Sequence, residues 1–359
     1  MSLMVINDRA YLAHAPGNWP EGPHRLEAIW SMLQASGVEE ALVYETPDPA
    51  GESDLELVHT PRHIERVRRL AEEGGGNLTL DTVVSPESYR TALLAAGGAM
   101  KATDLVLAGR ARRAAALVRP PGHHATPDEG MGFCLFNNIA VAAAHARHRR
   151  GVKRILIVDW DLHHGNGTEA AFYGTDEVLF FSCHESPAYP GTGWVTDVGE
   201  GRGEGYTVNV PLPPGSGDAV YEEVFESVLA PIARAYGPEI ILVSCGLDAH
   251  FADPLGRLRL TSAGYGRLAG IVTALADELC DGRVVFVLEG GYDPVGLGWS
   301  LASVFNVASG RGGPLTEPED LRAGFAAVSG APPAGTAASM AARERIAAVR
   351  SVQRTWWPV

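Results

Sequence analysis

Asp159-Trp160-Asp161-Leu162-His163-His164-Gly165-Asn166-Gly167 places two carboxylates and two imidazoles within six residues, directly after the apolar run Ile155-Leu156-Ile157-Val158. Charged groups at the end of so apolar a run are costly unless something pairs with them. In an extended segment side chains alternate, so Asp159, Asp161 and His163 turn the same way and can converge on one cation, while His164 faces the opposite side. The chemistry this spacing points to is a metal site. The rest of the chain has to supply the remaining ligands, a base and a substrate pocket.

The elements that would position these groups alternate along the chain. After a short strand at Leu3 to Ile6 and a helix from Pro23 to Ala35, Thr60 and Pro61 mark a second helix start, and Ser85-Pro86 opens a third that runs to Leu107. Apolar strands follow at Ala114 to Val118, Ile155 to Val158, Val178 to Phe181, Tyr206 to Val210, Ile240 to Val243 and Val284 to Leu288. Helices fit between them at Asn138 to Arg149, Thr168 to Tyr173, Asp218 to Tyr236 and Thr261 to Leu279. Near-continuous apolar strands separated by helices predict an α/β fold, a mostly parallel central sheet covered by helices on both faces.

The polar groups fall at one edge of that sheet. His123-His124, Asp159 to His164, Ser182, Asp248 with Asp253, and Glu289-Gly290-Gly291-Tyr292 each follow the carboxyl end of a strand. Ligands of open α/β sheets bind beyond those ends.

Composition narrows the class further. With 359 residues and 46% hydrophobic content the chain can bury a large core, read as one domain over 1–359. Within it, 1–110 forms N-terminal helices and rim loops, 111–309 the sheet core with the active site, and 310–359 a C-terminal segment packed back on the domain. A net charge of -14 argues against direct nucleic-acid or membrane-surface partners and favours a cationic substrate. Cys134, Cys183, Cys245 and Cys280 form no CxxC pair and read as buried free thiols. No apolar run reaches membrane-spanning length, and the expected location is cytoplasmic.

Taken together, His123-His124, Asp159-x-Asp161-x-His163-His164-Gly165-Asn166-Gly167, Asp253-Pro254-Leu255-Gly256 and Glu289-Gly290-Gly291-Tyr292 resemble the zinc-dependent histone deacetylase family. That family includes bacterial deacetylase-like amidohydrolases and acetylpolyamine amidohydrolases and has the arginase-type α/β fold. The resemblance spans Pro20 to Ser309, and Asn166 with Leu288-Glu289-Gly290-Gly291-Tyr292 is similar to class II. It implies zinc ligands Asp161, His163 and Asp253, with Asp248 the first substitute for Asp253. Two carboxylates and one imidazole leave a coordination position open, as catalysis requires, and Fe(II) or Co(II) would also suit such donors.

It further implies His124 as general base and then acid, His123 as its electrostatic companion, Asp159 and Asn166 as their respective partners, and Tyr292 as donor to the scissile carbonyl. An Asp partner makes a histidine more basic than an Asn partner does, so His123 is expected to be the charged one and His124 the neutral one. Asp159, Asp161, His163 and Ser182 resemble an inner potassium site, with an outer one near Phe172 and Thr175. Gly132, Phe133, Tyr189 and Leu255 resemble a narrow substrate channel, and Arg25 an inner arginine. His164 has no assigned part and reads as structural.

The implied reaction removes acetyl or short acyl groups from acylated amines, acetyl-lysine types first. Acetylpolyamines are the alternative substrates, and an inactive acyl-ligand binder is the alternative of another class. An oligomer is compatible with the sequence. Two departures stand out: Trp19 where the family's motif begins with His, and Gly74-Gly75-Gly76-Asn77 where relatives carry a substrate clamp at the rim. The glycine run reads as a flexible loop lacking that clamp.

Overall fold

Segments that are apolar at every position have no face to offer water, so they can form strands only where both sides of the sheet are covered. The computed structural model, which describes residues 2–329 and 339–359, builds its central strands from such segments. In chain order they are β1 (Leu3–Ile6), β2 (Leu42–Glu45), β3 (Gly76–Asn77), β4 (Val83–Val84), β5 (Arg113–Ala116), β6 (Ile155–Asp159), β7 (Val178–Glu185), β8 (Thr207–Leu212), β9 (Ile240–Cys245) and β10 (Val284–Leu288). Eight of them form one sheet in the order β2-β1-β5-β10-β9-β6-β7-β8, and β3 pairs with β4 separately. Every pairing in the large sheet is parallel. All positions of β6, β7, β8, β9 and β10 are buried, which is why their sequences show no alternation.

Helices flank the sheet. Helices 24–35, 262–279 and 294–308 pack on one another, as do 88–107 and 138–150. The helix at 340–353 lies along β8, with Ala342, Ile346 and Val349 buried, the Gln353 amide donating to Thr207 O and the Trp357 indole to Gly205 O. The edge strand is thereby covered. Residues 330–338, part of the Gly-, Ala- and Pro-rich stretch, lie outside the described residues.

Several elements depart from the sequence reading. Helix 294–308 carries no polar stripe because it is wedged between helices 24–35 and 262–279, and periodicity gives no signal for an element buried nearly all round. The third helix starts at Ser88, since Ser85 N–H donates to the Ser88 hydroxyl and holds the preceding residues in a turn. The segment from Asp218 to Tyr236 contains a π-turn at Phe225–Leu229, ahead of Pro231, whose ring nitrogen has no hydrogen to give. The glycine run is not an open loop either: Gly76 pairs with Val84 and Asn77 with Val83 across a short antiparallel ribbon. Among the described residues no helix is long and apolar enough to cross a membrane.

One internal device steadies the stretch after β5. His59 is buried; its Nδ1 donates to Thr126 O (3.0 Å) and its Nε2 accepts from Asn137 N (2.8 Å), tying together two ends of the loop that follows His123-His124. Burial, reinforced by nearby His63, pushes its pKa down to about 3. Above pH 6.5 the ring is neutral folded or unfolded; below it, the unfolded chain takes up a proton that the fold refuses. Stability should therefore fall as pH drops from about 6.5 towards 3, by up to about 1.4 kcal/mol per pH unit from this group. Urea unfolding of wild type and His59→Gln across this range should show a shallower slope in the variant.

Candidate functional site

The four strands β5, β10, β9 and β6 are neighbours in the sheet, so the segments leaving their carboxyl ends meet at one place. Asp161 from the β6 end accepts a hydrogen bond from Gly290 N (2.8 Å) beyond β10, and Asp248 beyond β9 accepts from Leu162 N (2.7 Å). His163 Nδ1 lies 3.2 Å from Asp161 Oδ1 and 3.1 Å from Asp248 Oδ2. Close approach needs the absence of side chains opposite: a Cβ on Gly246 would sit 1.9 Å from Asp161 Oδ2, and one on Gly290 2.2 Å from Asp248 Oδ2.

Asp161, His163 and Asp248 bring one ligand atom each to within 4.8 Å of one another, a group able to hold a metal ion. The trio contains Asp248 where the sequence reading put Asp253. Asp253 stands next to it, its Oδ1 accepting from Leu255 N (3.0 Å) and its Oδ2 from Tyr292 N (2.7 Å). Burial, followed by the charge of Asp161, raises the Asp248 carboxyl to about 6. Burial and then the charge of Asp248 raise that of Asp253 to about 7. Both carboxyls are disfavoured as anions first by burial and then by a neighbouring carboxylate.

The two histidines after β5 stand in unlike surroundings. His123 Nδ1 donates to Asp159 Oδ2 (3.0 Å), and His124 Nδ1 donates to Asn166 Oδ1 (2.8 Å). Burial opposes charge on both. For His123 the carboxylates of Asp161 and Asp159 outweigh it and hold the pKa well above 6.5. For His124 the charges of His123 and His163 add to burial and push the pKa well below. The expected division of the pair, one charged and one neutral, is reproduced. Glu289 locks their segment by accepting from Gly122 N (2.6 Å) and His123 N (3.1 Å) through Oε2.

Tyr292 follows β10. Burial pushes its phenol pKa well up, so the hydroxyl keeps its proton and remains a donor. Arg25 lies behind it, its guanidinium 5.0 Å from the Tyr292 ring centroid and donating to Gly291 O (2.6 Å) and Glu289 O (2.5 Å). Arg25 thus braces the turn of Tyr292 and does not line the channel. Glu21 sits between Arg25 and Arg119 and is held well below the usual carboxylate range: burial opposes its charge, but the Arg119 guanidinium outweighs it.

A cavity of about 300 Å³ leads to these groups, lined by Trp19, Asp81, His124, Gly132, Phe133, His163, Tyr189, Leu255 and Tyr292. The expected Gly132, Phe133, Tyr189 and Leu255 are all there. Trp19 and Asp81 were not anticipated as lining. The Trp19 ring stands 5.8 Å from that of Phe133, so the departure from the family's motif supplies an aromatic wall. Asp81 corrects the reading of the rim: the β3–β4 ribbon carries this carboxylate into the channel beside Leu80, which is 94% exposed. Its Oδ1 accepts from Thr79, Thr82 and Gly132 N. Nothing in the linear pattern marked it, because Asp81 reaches the site only through the fold of the ribbon.

Ser182 pairs with Asp159 in the sheet register, and its hydroxyl is 2.9 Å from His184 Nδ1. His164 points away from the cluster to the Thr192 hydroxyl (2.8 Å) and Glu169 (3.1 Å). All four cysteines are buried and unpaired.

Comparison with known proteins agrees with this arrangement. The histone deacetylase domain model matches residues 19–308. A probable deacetylase of Archaeoglobus fulgidus is 42% identical over 295 residues, covering 81% of this chain and 82% of the relative. A histone deacetylase-like amidohydrolase of Pseudomonas aeruginosa is 40% identical over 299 residues, covering 83% and 79% respectively. The solved HDA15 HD domain superposes with a TM-score of 0.88 at 36% identity, over 99% of this chain and 96% of that one. The chain belongs to the histone deacetylase family. The match begins and ends within a residue of the stretch singled out from the sequence motifs.

Membership makes this deacetylase a metal-dependent hydrolase, and its donor set fits that requirement. Asp161, Asp248, Asp253 and His163 are oxygen and nitrogen donors, and a divalent cation would offset the charge of the buried carboxylates among them.

Gly132 leaves no room for a side chain. Its φ is +56°, and an added Cβ would sit 2.4 Å from His124 Cδ2 and 3.0 Å from Tyr189. Gly132→Ala should displace the His124 ring and lower deacetylation on the order of a hundredfold, since ångström-scale misplacement of a reacting group costs that much. The thermal midpoint should change far less than the rate, which assay and calorimetry on one preparation would check.

Proposed function

We propose that the protein is a zinc-dependent amidohydrolase that removes acetyl or short acyl groups from acylated amines, with acetyl-lysine-type substrates first. The observation that carries this reading is the pair of unlike histidine environments, His123 on Asp159 and His124 on Asn166, with His124 lining the same channel as Tyr292.

The proposed ligands are Asp161, His163 and Asp253. Asp248 is fully buried, accepts from Leu162 N and lies 3.1 Å from His163 Nδ1, which suits a support behind His163. Asp253 adjoins Leu255 and Tyr292, both of which line the channel. A bound zinc ion would supply Lewis-acid polarisation of the substrate carbonyl and lower the pKa of the attacking water.

The chain's own groups account for the proton movements. With Nδ1–H committed to Asn166, His124 offers Nε2 as the base that takes a proton from water and then delivers one to the departing amine nitrogen. His123, held charged between Asp159 and Asp161, offsets negative charge as water adds. The Tyr292 hydroxyl donates to the carbonyl oxygen where that charge develops. The products are a free amine and a carboxylate.

Trp19, Phe133, Tyr189 and Leu255 form an apolar sleeve suited to an alkyl amine stem. Asp81 within the channel lining also favours a second reading, an acetylpolyamine with a distant ammonium. We further propose an inner potassium site at Asp159, Asp161, His163 and Ser182 and an outer one near Phe172 and Thr175.

Tyr292→Phe should lower turnover about a hundred- to a thousandfold with metal content retained; unchanged turnover would remove Tyr292 from the mechanism. Asp253→Ala should lose most bound metal by elemental analysis, more than Asp248→Ala, and the reverse order would exchange their roles. Rates on acetyl-lysine peptides against acetylputrescine decide the substrate class. A tenfold preference for the polyamine would put acetylpolyamines ahead of acetyl-lysine.

A further inference from the structure

The neutral histidine can act as a base at Nε2 only if its proton sits on Nδ1. That depends on what Nδ1 faces. In this site it faces Asn166 Oδ1 at 2.8 Å. An amide differs from a carboxylate in having two unlike ends: turned over, Asn166 would present Nδ2–H to Nδ1. The proton of His124 would then move to Nε2, and the ring would face the channel as a donor with no lone pair to accept a proton.

The other end of the amide has its own partner. Asn166 Nδ2 donates to the thioether sulfur of Met131 at 3.4 Å. A thioether accepts a hydrogen bond and cannot donate one, so it tolerates only the amide orientation that keeps Oδ1 on His124. Met131 is well placed to hold that station. Its carbonyl accepts from Cys134 N (2.9 Å), and the two residues form a β-bridge that closes the turn presenting Gly132 and Phe133 to the channel. Met131 itself does not line the channel.

We propose that Met131 is a positioning residue for catalysis: its sulfur fixes the orientation of the Asn166 amide, and through it the tautomer of His124. The inference rests on the reading of His124 as general base. It assigns a role to a side chain that touches neither substrate nor metal ligands, and it makes that role specific to a site with Asn at position 166. A carboxylate there would have two equivalent acceptor oxygens and no wrong orientation to exclude.

The test is a double-mutant cycle with Met131→Leu and Asn166→Asp, reading kcat and KM on an acetyl-lysine substrate, with unfolding midpoint and metal content as controls. Leucine keeps the volume and removes the acceptor. In the Asn166 background, Met131→Leu should lower kcat about fivefold, the scale of one lost hydrogen bond, with KM unchanged. In the Asn166→Asp background the same substitution should leave kcat unchanged. An equal fall in both backgrounds would mean that Met131 acts only by packing, and no fall in either would mean that the amide is oriented without it; both results overturn the proposal. His124→Ala, run beside them, tests the underlying reading separately. If it retains activity, the general-base assignment fails, whatever the Met131 variants do.

Discussion

The structure depends on an unfavourable concentration of negative charge. Asp159, Asp161, Asp248, Asp253 and Glu289 converge from the ends of β6, β9 and β10, and all of them are buried. In a low-dielectric interior such carboxylates repel one another strongly, and a few charged imidazoles cannot satisfy them all. Burial, followed for Asp248 and Asp253 by the charge of a neighbouring carboxylate, raises the pKa values of Asp248, Asp253 and Glu289. A rigid parallel sheet with fully buried strands makes the arrangement tolerable, because the strands cannot splay to relieve it.

The same charge cluster sorts the two histidines after β5. His123 looks into the carboxylates and is driven to the charged state; His124, one residue on, has an amide for a partner and is pushed towards the neutral state, first by burial. Two adjacent residues of one type thus acquire opposite roles from their surroundings. Holding them there takes contacts from remote parts of the chain: Glu289 on the backbone before them, His59 across the loop after them, and Arg25 behind the turn of Tyr292.

Much of the site was legible in the linear sequence, since charged residues after apolar runs are conspicuous and strand ends are where α/β sheets bind ligands. His123, His124, Asp159, Asp161 and His163 stood out in that way, while the parts of Asn166 and Tyr292 came from the resemblance to the family. Residues whose position depends on an irregular segment did not. Asp81 enters the channel because Gly76-Asn77 folds back on Val83-Val84, and Trp19 because its loop returns to Phe133. Helix 294–308 was hidden for a different reason: burial nearly all round erases the polar stripe that marks a helix.

By itself the sequence determined the chemical inventory, the alternation of strands and helices, and the delivery of each polar group to a strand's carboxyl end, because these follow from local composition and periodicity. Only the tertiary structure decided that β5, β10, β9 and β6 lie side by side, that Asp248 comes close to Asp161 and His163, and that Asp253 accepts from Tyr292 N beside them. Strand order in a parallel sheet is set by how crossover helices pack on its faces, a non-local outcome that no single segment encodes.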